Sequence, residues 1–134
     1  MRRIRAFLAE RKGAAAVEMA FVLPAVLFLM LGGANLILLL YASVSLNSAA
    51  EAAARYASVK TAAGAAFTAS DVQTFASSVY KGPGMGSLSF TYVNTGSCGT
   101  AGNNGNLVTG SATYHLYYGI GRLGIPISNH SCFP

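Results

Sequence analysis

The sequence predicts an α+β protein with a long N-terminal transmembrane α-helix, a small second helix and a short antiparallel β-sheet that forms a head. Three observations predict it. Met19 to Ala50 is a run of 32 residues without a single charge. The stretch from Ser43 to Ala63 is rich in alanine, the best helix former, and contains no Gly or Pro. Two later segments, Ser87 to Asn94 and Leu107 to Tyr118, place apolar residues at alternate positions, the period of a half-buried strand.

Composition defines the surroundings. Of 134 residues, 53% are hydrophobic and only 10% charged, whereas soluble domains carry about a quarter. Nine basic and four acidic residues cannot solvate a globule of this size, which excludes an ordinary cytosolic domain. The chain is also too apolar for disorder. Its net charge of +5 is concentrated at the start, where Arg2, Arg3, Arg5, Arg11 and Lys12 face only Glu10. The remainder balances Arg55, Lys60, Lys81 and Arg122 against Glu18, Glu51 and Asp71. Nothing there groups into a basic face for nucleic acid. A basic flank ahead of an apolar span instead keeps the N-terminus inside and sends the C-terminus outside.

Each element has its own local reason. Phe21 to Ala42 exceeds the ~20 apolar residues needed to cross a bilayer. Pro24, Gly32, Gly33 and Asn35 interrupt the run, and a bend near Pro24 is expected, not a break. Glu51 and Arg55 stand in the favourable order for a helical ion pair, and Gly64 is a natural stop. A helix from about Ala14 to Ala63 would be ~75 Å long, against a bilayer core of ~30 Å. Its outer part must therefore be held either by the C-terminal residues or by neighbouring subunits.

Ser70-Asp71 reads as the start of a second helix, with Val72, Phe75, Ala76 and Val79 on one face, ending before Gly82-Pro83-Gly84. Leu88, Phe90 and Tyr92 share one side of the first strand; Ala112, Tyr114, Leu116 and Tyr118 share one side of the second. Gly96 to Asn106 reads as a loop, and Gly119 to Pro134 as irregular apart from a short strand near Ile125 to Ile127.

The residues that carry chemistry lie where the apolar run begins, RKGAAAVEMAFVLP from Arg11 to Pro24. A carboxylate inside a membrane segment costs roughly 2.5–3.5 kcal/mol or more when ionised at depth, so Glu18 is a functional candidate. Cleavage after Gly13 supplies a reason for it. Ala14 would become a free amine, positively charged near neutral pH, four residues before Glu18. The two charges could neutralise each other within one subunit or between neighbours, while Ala14, Ala15 and Ala16 allow close helix packing. Losing residues 1–13 also deletes the basic anchor.

This opening resembles a type IV prepilin signal and is similar to that of TadE-like proteins, the minor pilins or pseudopilins of the Tad (Flp-type) pilus. The likeness rests on Gly13, its spacing to Glu18 and the apolar stretch with Pro24, KGAAAVEMAFVLPAVLFLMLGG. It is specific over Arg11 to Leu40 and architectural beyond. Flp relatives often carry an aromatic residue after the glutamate; Met19 stands there in this chain, which favours a TadE-like member over a major pilin. The resemblance implies processing between Gly13 and Ala14 by a prepilin peptidase of the TadV or CpaA type. It implies sister TadE/TadF-like pseudopilins and a major Flp pilin as partners, with Glu18, Met19 and Pro24 in helix pairing. An ATPase, an inner-membrane platform and a secretin would complete the machinery. The expected organisation is a leader over 1–13, the long pilin-like helix over 14–63 with its span at about 19–42, and a periplasmic head over 64–134. After processing, the subunit would leave the inner membrane for a pilus at the cell surface and serve adhesion.

Two simpler accounts compete. A secretory signal has an apolar core of only ~7–15 residues, about half this run, although Ala49 to Ala54 could pass for its cleavage site. A plain signal anchor would carry Glu18 by accident, leaving an envelope protein whose outer domain binds a partner or ligand.

Cys98 and Cys132 both follow the span, and in an oxidising compartment a disulfide is the default. A metal site from these cysteines with His115 and His130 fits no zinc spacing, and no cofactor is expected. Catalysis is not expected either. Asp71, His115 and His130 would have to converge in a pocket, and the Gly82 to Gly86 turn lacks the Lys-Ser/Thr of a phosphate loop. The seven tyrosines suit a half-buried sheet better than a contact surface.

Overall fold

The computed structural model describes residues 11–98, 103–117 and 121–134. Helix α1 runs from Arg11 to Ala62, α2 from Ala69 to Val79, and three strands follow: β1 Gly86–Cys98, β2 Asn103–Tyr117 and β3 Arg122–Phe133. They form one antiparallel meander in the order β1-β2-β3. By packing, the chain divides into two compact units, residues 1–36 and 37–134. The first consists, in its described part, of α1 alone. The second contains the rest of α1, α2 and the sheet.

The second unit explains what holds the alanine-rich helix. Ala42, Leu46, Ala49, Ala50, Ala53, Ala54 and Ala57 are all fully buried, and their spacing puts them on one helical face. All of these except Ala42 join Val72 and Ala76 of α2 and Phe90 and Val108 of the sheet in a single core. Of the two alternatives, the chain's own head covers this helix. Alanine lets the elements approach closely, and aromatic residues fill the margins: Tyr56 stacks on Phe75 with centroids 4.5 Å apart.

Helix α1 stops where the sequence placed a glycine. Gly64 adopts φ +61°, and a Schellman pair closes the end, with Ala65 N–H donating to the Lys60 carbonyl and Gly64 N–H to that of Thr61. The start of α2 differs from the expectation. Its N-cap is Thr68, not Ser70-Asp71, and Asp71 is the third residue of a capping box. The Thr68 backbone N–H donates to the Asp71 carboxylate at 2.8 Å. That bond, then the Thr68 hydroxyl, holds the Asp71 pKa below its ordinary value. The associated stability is therefore present above the ordinary carboxylate range and lost as pH falls through the lowered value.

The sheet is larger than the sequence suggested. Gly96 to Asn106 is not simply a loop: beyond an irregularity between Asn94 and Gly96, pairing continues through Gly96↔Gly105 to Cys98↔Asn103. The short strand expected near Ile125 to Ile127 is likewise longer, since β3 pairs with β2 from Arg122 to Phe133, with Pro126 opposite Thr113. An edge strand tolerates a proline because one side of its backbone has no partner to lose. Leu88, Phe90 and Tyr92 face the core as expected, as do Ala112 and Tyr114, while Tyr118 lies outside the described residues. The Tyr92 hydroxyl donates to buried Asn106 at 2.7 Å.

Leu46 is the keystone between helix and sheet, fully buried and seated over Gly110 of β2. Replacing it with Ala should cost about 2–5 kcal/mol. The melting temperature of the head, followed by tyrosine ellipticity, should then fall by about 10 °C or more.

Candidate assembly segment

Arg11 to Pro24 is helical throughout, and the helix continues unbroken through Pro24. A proline interior to a helix is accepted when its freed carbonyl can be re-satisfied, as in membrane helices. From Ala15 to Leu40 the helix is exposed, apart from partial cover at Asn35 and Leu39. The exposed residues include Val17, Met19, Phe21, Phe28 and Leu29, so apolar surface lies on every side. The helix is long and apolar enough to cross a membrane. The polar exception is handled locally, because the Asn35 amide donates to the Leu31 carbonyl at 2.9 Å.

Glu18 is exposed on this helix, and among the described residues no cation pairs with it. The ion pair that the structure does show joins Arg55 to Glu51, both half-exposed, as the spacing predicted. It is worth only about 0.3–0.5 kcal/mol. Gly13 and Ala14 lie in α1, five and four residues before Glu18. Exposure, apolarity and one bare carboxylate make this segment a surface that requires a non-aqueous partner.

The other candidates have structural roles. Cys98 and Cys132 are joined, with Cα atoms 5.4 Å apart, so the bridge ties the end of β1 to the end of β3. It crosses β2 over Gly105, where a side chain would collide with Cys98 Sγ and sit 2.6 Å from the Phe133 carbonyl oxygen. Opening a loop of this length by Cys98→Ser should destabilise the head by about 3–4 kcal/mol, measurable as a lowered denaturation midpoint. Asp71 is committed to its capping box. His115 pairs across from Gly124 and His130 across from Thr109, six residues apart along β2 and so about 20 Å distant. The three residues of the catalytic alternative therefore do not converge. Among the described residues no group of His, Cys, Asp and Glu is placed to hold a metal. The tyrosines mostly serve the core and its margins, though Tyr117 is 64% exposed.

The family model described as TadE-like protein matches residues 13–55. No curated protein and no solved structure matches the chain. The match opens at Gly13, takes in Glu18 and the whole apolar run, and closes at Arg55, the partner of Glu51. Over residues 13–55 the chain is therefore similar to TadE-like proteins, and the apolar helix in that stretch is long and apolar enough to cross a membrane.

Proposed function

We propose that this chain is a minor pilin or pseudopilin, cleaved between Gly13 and Ala14 by a TadV- or CpaA-type peptidase and then packed through α1 into a Tad pilus. The observation that carries the reading is the family match beginning at Gly13 and running through Glu18. Before cleavage, the basic residues from Arg2 to Lys12 anchor the chain with its head in the periplasm. After cleavage the Ala14 amine offers Glu18 a partner, in the same helix or in a neighbour, and the apolar helix exchanges lipid for sister helices. The folded head, stapled by Cys98–Cys132, stays outside the bundle and presents the surface through which the pilus would adhere. The function is structural. Immunodetection in filaments sheared from cells tests it. The chain should appear there alongside the major pilin, and confinement to the membrane fraction would favour the anchored envelope protein.

A further inference from the structure

We propose that the outer face of the sheet is a binding plane for a neutral polysaccharide, gripped by the hydroxyls of Ser89, Thr91, Ser111, Thr113 and Ser128. The proposal names what the adhesive head holds, and it rests on that reading for where the ligand is met, outside the cell.

Strand alternation sorts the side chains. Phe90, Val108, Ala112 and Tyr114 are buried, so their neighbours Ser89, Thr91, Thr109, Ser111 and Thr113 face away from the core. The ladder sets these in rows across the three strands. Ser89, Ser111 and Ser128 form one row, and Thr91, Thr109 and His130 form the next. Positions along a row are then about 4.8 Å apart, and successive rows about 7 Å apart. Cross-strand contacts fix the hydroxyls: Ser89 Oγ lies 2.9 Å from Ser111 Oγ, and Ser87 Oγ lies 3.0 Å from Thr113 Oγ1. Ser87 holds φ +49° at the register irregularity between Gly86 and Ser89. This is left-handed backbone, a strain retained where a side chain has to be aimed. Gly86 leaves room for the His115 ring beside it, since a Cβ there would stand 2.7 Å from His115 Nε2.

The composition of this face selects the ligand. From Gly82 to Gly121 the sequence has no Asp, Glu, Lys or Arg, and Arg122 is the only such residue in the three strands. A sheet that merely meets water carries charges, lysine above all at its edges, which keep strands from pairing with other chains. Here Ser87, Ser89 and Thr91 on one edge and Ser128 on the other are exposed and neutral. Without cations the rows offer nothing to a phosphate backbone or an anionic headgroup. A protein partner fits poorly as well, because protein interfaces are depleted in serine and centre on large buried anchors. A hydroxyl both donates and accepts, and so do the hydroxyls of a sugar. The uncharged rows are therefore complementary to an uncharged polyol, and no ion has to be desolvated on contact. Tyr117, exposed on the same side of β2, adds a ring for the apolar face of a sugar.

The test mixes the full chain, in detergent micelles, with beads of cellulose, cross-linked dextran or agarose, and with alginate as the anionic counterpart. Retention on at least one neutral bead is expected, equally at low and high salt because no charges take part, and none on alginate. Ser89→Ala combined with Ser128→Ala should weaken binding about 25-fold, about fivefold per hydroxyl. Ser77→Ala removes a hydroxyl from α2 and should bind like wild type, and unchanged tyrosine ellipticity shows that the double variant is folded. Failure on all three neutral beads, retention on alginate that salt removes, or wild-type binding by the folded double variant each overturns the plane. Immunodetection in sheared filaments tests the pilus reading separately. A chain found in filaments that ignores every neutral bead overturns the plane alone, whereas a chain confined to membranes that still binds one keeps the plane and loses the pilus.

Discussion

A chain carrying Glu18→Ala is expected to lose its leader normally and yet to be nearly absent from assembled filaments. Glu18 is exposed on a helix whose other surface at that level is apolar, so no described neighbour compensates its charge. Keeping a carboxylate there costs a few kcal/mol in lipid. That cost is offset if cleavage creates an amine four residues away, at Ala14, in the same or an adjacent subunit. A charge-assisted hydrogen bond is worth about 1.5–3 kcal/mol, which corresponds to roughly 10- to 100-fold in incorporation. Glu18→Gln keeps the shape but not the charge and should fail similarly, while Glu18→Asp should recover part of the yield. The check is the amount of processed subunit in sheared filaments relative to membranes. Wild-type incorporation of Glu18→Ala would remove the pairing argument.

Replacing Gly13 with Leu should have the opposite signature, with the leader retained and no mature chain formed. A peptidase must unwind the helix locally to reach the peptide bond between Gly13 and Ala14. Glycine weakens a helix by about 1 kcal/mol relative to alanine and offers no side chain to obstruct an active site. Leucine reverses both effects. The uncleaved chain would keep the basic flank of Arg2 to Lys12 beside the membrane, and Ala14 would remain an uncharged amide. Glu18 would then lack its partner even though it is present. Gel mobility of the membrane-bound chain distinguishes the forms, and wild-type maturation of Gly13→Leu would reject the cleavage site.

Some of this architecture is legible in the residues because local and global signals agree. The uncharged run reads as one long apolar helix, and the buried alanines 42, 49, 50, 53, 54 and 57 fall on one helical face that the head covers. Gly64 marks the end of α1 because an αL turn there is cheapest for glycine. What escaped was set by tertiary contacts. In β3 the alternation of Leu123, Ile125 and Ile127 gives way to Asn129 and Ser131, and Pro126 interrupts it, so only a short strand near Ile125 to Ile127 was legible. The strand exists because β2 supplies a ladder and Asn129 finds the Ser43 carbonyl. The glycines and asparagines of 96–106 signalled a loop, but the disulfide over Gly105 requires a residue without a side chain within a strand. Thr68 was missed as a cap because Ser70 and Asp71 offered equally good capping chemistry two and three residues later. In the assembly segment, the residue types and spacing were legible, whereas the exposure of Glu18 and the coverage of α1 beyond Ala42 required the fold.

Intact-mass measurement of the chain recovered from membranes and from sheared filaments tests the central idea most directly. A polypeptide beginning at Ala14 in the filament fraction is the predicted result. A filament-associated or otherwise functional chain that still carries Met1 to Gly13 would contradict it, because Glu18 would then face no amine and the arginine-rich flank would still tether the helix.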